Sequence, residues 1–332
     1  MRAHASAFLL SLGIALQLVG ANFDSLIGVG GWWAMLAGGL LTEKQIRGPR
    51  WALLLVGGLL LSGLLSIPGA ALSENLVEAS ATMVLVIAPL ALLFFAKSDL
   101  LPRLGWYLLP VIGVHSGMVL FDAAQHASQR VTGLSLNPNP AAGLLLLASI
   151  WLLQCPRVRW LAVPMLAGLP FTGSRLSLAI LALVLGFMVL RHMVPKSVAL
   201  ASMCLVVVTV IMIPNPRLGN TTAGILSTDV AVRIEAPQPP SLFPVGVTES
   251  RLLRASHNVP MILASEWGAL AAICWVGLTL GLLVQNKGRT RYSWLLVALF
   301  VTSMLDLYTW GGSMGAAWWV VTGHEAGRPA HT

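Results

Sequence analysis

The chain has 332 residues, of which 57% are hydrophobic and only 10% charged, with a formal net charge of +8. Its mean hydropathy of +0.82 excludes a soluble globular class, because no soluble domain of this size hides so much apolar surface. No P-loop, paired CxxC or Gly-rich dinucleotide fingerprint occurs, so none of those chemistries is read from it, and no nucleic-acid partner is expected.

Apolar stretches recur at about the length a helix needs to span the hydrocarbon core. In chain order they predict spans over 6–21, 26–41, 51–67, 80–96, 104–124, 140–153, 158–171, 174–190, 197–213, 259–284, 292–309 and a short one over 313–323. The expected fold class is an all-α polytopic membrane protein of about 11–12 transmembrane helices. It forms a single integral membrane domain over 1–332, interrupted by one large loop over 214–256. Leu-Val-Gly-Ala ahead of Asn22 resembles a leader cleavage site, but a second apolar stretch follows at once, so the first is read as a span. Cys155, Cys204 and Cys274 lie in or beside apolar spans without metal-like spacing, and are read as small hydrophobes.

Basic residues sort into alternate loops. Arg2, Lys44, Arg47, Arg50, Lys97, Arg103, Arg157, Arg159, Arg191, Lys196, Lys287, Arg289, Arg291 and Arg328 fall on one side. The positive-inside rule makes that side cytoplasmic, with both termini inside. The other side holds Arg130, Arg175, Arg217, Arg233, Arg251 and Arg254, and no lysine. Topology needs only positive charge. Arginine adds a planar fork of donors matched to phosphate and carboxylate, so the outer face is expected to seat an anion, a phosphate first.

Three outer segments are specialised. The 130–143 segment RVTGLSLNPNPAAG carries Arg130 and two Asn-Pro pairs, which enforce turns. The 171–177 connection FTGSRLS sets Arg175 at a helix start, where the helix dipole assists an anion seat. The 214–256 segment is long and Pro-rich, and such a segment in a compact protein is functional or disordered. Within RLLRASHNVPMILASEWG (251–268), Pro260 suits only a first helical turn. The helix is therefore expected to begin near Asn258, with Asn258 or Val259 as its cap. The dipole and the neighbouring Arg251 and Arg254 then disfavour an imidazolium at His257. A neutral His257 has the chemistry of a general base.

At these residues the sequence resembles the O-antigen ligase and O-antigen polymerase superfamily. RVTGLSLNPNPAAGLLLL is similar to its Arg-x-x-Gly and Asn-Pro-Asn segment, and FTGSRLSLAILAL to its Thr-Gly-Ser-Arg motif. VRIEAPQPPSLFPVGV is similar to its outer-loop Arg and Pro-x-x-Gly turn, without the family's following Trp and second Gly. RASHNVPMILASEWGALAAICWVGL is similar to its His-Asn stretch, and LDLYTWGGSMGAAWWVVTG to its closing Asp-x-Tyr-x-Trp segment. Together these cover about 130 to 323, and the first five spans match in hydropathy alone.

The resemblance implies a metal-independent, cofactor-free glycosyltransferase of the membrane-embedded GT-C type in the bacterial inner membrane, its active face periplasmic. The donor would be a glycan on undecaprenyl diphosphate, and the acceptor another glycan, a lipid A core or a protein. His257 would deprotonate the acceptor hydroxyl. Arg175 would hold the diphosphate, with Arg233, Arg251 or Arg254 assisting, and Arg130, Asn139 and Asn258 would complete the substrate site. A transporter or a carrier flippase without chemistry is the rival class. His115, inside an apolar span, reads either as a proton relay or as a hydrogen-bonded core residue. Glu266 reads as facing the site or pairing with an arginine.

Overall fold

The computed structural model describes residues 2–20, 26–41, 48–70, 100–125, 130–135, 137–212, 258–304 and 313–327. Among the described residues the regular elements are all helical. They are α1 (Arg2–Gly20), α2 (Leu26–Leu40), α3 (Arg50–Ala70), α4 (Leu100–Gln125), α5 (Pro138–Leu153), α6 (Ala162–Gly168), α7 (Arg175–Leu190), α8 (Lys196–Met212), α9 (Val259–Glu266), α10 (Ala269–Asn286), α11 (Arg291–Ser303) and α12 (Ser313–Ala326). Short 3-10 segments, Arg159–Leu161 and Leu169–Thr172, flank α6. By length and composition α1, α4 and α10 are long and apolar enough to cross a membrane, while α2, α5, α7, α8 and the Arg50–Ser66 part of α3 are apolar but shorter. The span expected over 80–96 and the 214–256 loop lie outside the described residues.

Two expected spans take another form. The stretch over 158–171 is not one helix but a 3-10, α, 3-10 succession from Arg159 to Thr172. Pro164 and Pro170 each lack the N–H that an unbroken helix needs, and the ends tighten into 3-10 turns. The succession still covers about 24 Å, the same rise as the 16 residues of α5, and returns antiparallel beside it. The stretch over 259–284 is split into α9 and α10 at Gly268, whose φ of 87° and ψ of 162° lie in a region closed to side chains with a Cβ.

Helix α5 is the axis of the bundle. Fourteen of its 16 residues are buried, as befits a helix that is apolar all round, and α4, α6, α7, α11 and α12 pack about it. Its start is set by Asn-Pro-Asn. Asn137 caps it by accepting from the Asn139 N–H at 2.9 Å, and Pro138 occupies the first turn, where a missing N–H costs nothing. The Asn-Pro pairs thus open the helix rather than hold it off. The same core continues among α10, α11 and α12 through Trp275, which stacks on Phe300 at 5.8 Å and on Trp318 at 5.0 Å between ring centroids. Outward faces are apolar too: Leu54, Ile211 and Val284 are 74–76% exposed, the inverse of a water-soluble surface.

Candidate functional site

The 130–143 and 171–177 segments meet through Arg130. Its Nε donates to the Thr172 carbonyl at 2.8 Å and its Nη2 to Asn139 Oδ1 at 2.7 Å. Beside it the Val131 N–H donates to the Phe171 carbonyl at 3.3 Å. Arg130 thereby clamps the start of α5 to the Thr-Gly-Ser-Arg turn, and the N-termini of α5 and α7 lie side by side at one end of the bundle. The turn is braced from within. Thr172 Oγ1 donates to the Leu169 carbonyl at 2.7 Å, and Ser174, the cap of α7, donates to Ser177 Oγ at 3.0 Å.

Arg175 is the first residue of α7 and is half-buried. Among the described residues its guanidinium has no hydrogen-bond or ion-pair partner. Among the described residues none of its five N–H groups is engaged, and it stands beside two helix N-termini that carry partial positive charge. The geometry separates two arginines that the sequence treats alike: one assembles the site, the other presents donors in it.

The His-Asn segment reaches the same end. Asn258 caps α9 by accepting from the Met261 N–H at 3.1 Å, with Pro260 in the first turn, as the spacing predicts. Its Nδ2 donates to the Met304 carbonyl at 2.9 Å, just past the end of α11. Helix α11 starts at the other end of α5, where Gln154 Nε2 donates to the Arg291 carbonyl at 3.2 Å, and it runs antiparallel to α5. Three helix starts, those of α5, α7 and α9, therefore share one end with Arg130, Asn139, Arg175 and Asn258. His257, Arg233, Arg251 and Arg254 lie outside the described residues. Glu266, the last residue of α9, is buried and engaged.

His115 belongs to the scaffold of this end. Its Nδ1 accepts from the Leu134 N–H at 3.1 Å, and its Nε2 faces the Ala141 carbonyl at 3.4 Å. Those partners put the proton on Nε2 and leave the ring neutral with both nitrogens committed, the arrangement of a hydrogen-bonded core residue. Gly133 sits over it with φ of +57°, and a Cβ there would stand 2.8 Å from His115 Nδ1 and 2.9 Å from the His115 carbonyl oxygen. Arg-x-x-Gly spacing marks Arg130 and Gly133, but nothing in it marks His115 as their support.

At the opposite end the structure holds a cluster that pattern reading misses. Glu325 is fully buried, and its Oε2 accepts from Asn286 Nδ2 at 2.6 Å, Thr290 Oγ1 at 2.9 Å and Ser293 Oγ at 2.9 Å. The available signal was a carboxylate four residues beyond the apolar run that ends at Val321, in a chain with only 12 acidic residues. These donors tie the end of α12 to the turn between α10 and α11.

The Arg130 and Arg175 end can hold an oxyanion by directed hydrogen bonds. Compared with protein-family models, with curated proteins and with solved structures, the chain matches none.

Proposed function

We propose that the chain is a membrane glycosyltransferase of the O-antigen ligase or polymerase type, moving glycan from undecaprenyl diphosphate to an acceptor hydroxyl. The observation that supports this is the hydrogen-bonded union of Arg130, Asn139 and Thr172. It brings two motif segments, about 30 to 40 residues apart in the chain, to one end with Arg175, whose donors are uncommitted among the described residues. In this reading His257 takes the hydroxyl proton as the acceptor oxygen bonds the anomeric carbon. The bond from that carbon to the diphosphate oxygen breaks, and the leaving diphosphate keeps its electron pair, held by Arg175 and one or more of Arg233, Arg251 and Arg254. Fixed arginine donors supply charge stabilisation in a low-dielectric site.

The test uses purified protein and lipid-linked donor. His257→Ala should insert and bind donor yet transfer about a hundredfold more slowly or worse. The wild-type rate should fall on the acid side through one ionisation that the variant lacks, since a general base works only unprotonated. Turnover should persist in EDTA. A His257→Ala protein with undiminished transfer, or turnover that stops with chelator and returns with Mg²⁺, refutes the mechanism.

A second reading rests on the helix break at Gly268 and the 3-10 segments around α6, since discontinuous helices line transporter sites. Vesicles decide between the two: carrier or solute flux without new glycosidic bonds establishes transport.

A further inference from the structure

Away from the Arg175 end, a narrow apolar cleft opens among α1, α4, α5, α11 and α12. Along α4 it runs from Leu101 to Ile112, about 16 Å of helix rise. At the Leu101 end it is walled by Trp151, Tyr292 and Val320. That end stops at a clamp between two basic turns. Gln154 Nε2 donates to the Arg291 carbonyl at 3.2 Å, and Arg291 Nη1 reaches Cys155 Sγ at 3.6 Å. The guanidinium therefore lies four residues beyond Trp151 and one before Tyr292, at the mouth of the cleft.

The two turns carry Arg157, Arg159, Lys287, Arg289 and Arg291 with no acidic residue between them. Arg157, Lys287, Arg289 and Arg291 are exposed. Among the described residues Arg159 Nε is buried without an acceptor, and the adjoining Trp160 is 67% exposed, an aromatic of the kind found at membrane interfaces. Glu325, near the turn between α10 and α11, is fully buried and accepts from Asn286, Thr290 and Ser293.

We propose that this cleft binds an anionic glycerophospholipid, one acyl chain lying along α4 and the headgroup phosphate meeting Arg291 and Arg159. The inference rests on the membrane reading of the chain and not on glycosyl transfer. An apolar slot takes a hydrocarbon chain, and Arg291 beside its Leu101 end, with the other four cations of the two flanking turns, selects a negative headgroup over a zwitterionic one. Free phosphate would find the cations but leave the slot empty.

Native mass spectrometry of the full chain in detergent, titrated with dioleoyl phosphatidylglycerol or phosphatidylcholine, tests it. Phosphatidylglycerol should bind at least about tenfold tighter, and Arg291→Gln and Arg159→Gln should each weaken it by about fivefold, the worth of one surface cation. Ala148→Phe, filling the cleft wall, should remove both lipids, and the two arginine variants keep the test decisive if that protein does not fold. Equal binding of the two lipids overturns the proposal. So does a preference unchanged in the Arg159→Gln, Arg291→Gln double variant. Donor turnover is scored separately, so loss of transfer with lipid selectivity intact refutes the catalytic reading alone.

Discussion

Arg130 and Arg175 look interchangeable as letters, but their surroundings divide the work. Two donors of Arg130 are committed to Thr172 and Asn139, so removing it opens a joint between α5 and α7. Arg175 spends no donor on the described protein and stands at a helix start, so removing it subtracts from whatever anion binds there. Arg175→Lys should leave thermal stability unchanged and slow glycosyl transfer by roughly tenfold to a thousandfold, because a point charge replaces a bidentate fork. Arg175→Ala should be slower still. Equal turnover by Lys and wild type, measured with lipid-linked donor, would show that charge alone matters at this position. Both arginines were visible in the sequence from their motifs. Their division of labour was not, because the acceptor that ties Arg130 to the Thr-Gly-Ser-Arg turn is the Thr172 backbone carbonyl, which carries no letter of its own.

Among the elements, the start of α9 was legible and its end was not. Asn258 and Pro260 announce a cap and a first turn in residue types alone. The break after Glu266 depends on one backbone conformation at Gly268, while the hydropathy runs on without a pause. The 3-10 turns about α6 escaped for a related reason: apolar composition measures what a segment dissolves in, not how it coils. Gly268→Ala should cost roughly 1–3 kcal/mol, because a Cβ is strained at that φ and ψ. Gly30→Ala serves as the control. It sits in the interior of α2 with nothing within 4 Å of the added methyl, and alanine there should be neutral or stabilising by about 0.5–1 kcal/mol. Thermal unfolding in detergent reads both. If the two variants melt alike, the break between α9 and α10 is not what Gly268 secures.

At the scale of the whole molecule the two ends of the bundle differ in chemistry. One gathers the starts of α5, α7 and α9 with Arg130 and Arg175 and, among the described residues, no lysine. The other holds the buried Glu325 cluster and the turns that carry Lys287, Arg289, Arg157 and Arg159. The sequence alone already sorted these charges by alternating loops. It missed the interruptions within 158–171 and 259–284: among the described residues three helices have the length and composition of a span, and the other apolar ones are shorter. If the arginine end faces outward, a single cysteine at Thr248 in a chain without native cysteines should react with an impermeant thiol reagent added to intact cells. One at Arg289 should react only after lysis. Arg289 is exposed, whereas its neighbour Gly288 has φ of +63° and Arg130 holds the α5 and α7 joint, so neither of those is a neutral place for a probe. Reversed labelling would put the lysine-bearing turns outside and Arg175 on the cytoplasmic face. A donor whose glycan is displayed on the far side of the membrane could not then reach it, and the catalytic reading would fail however well the arginine variants behaved.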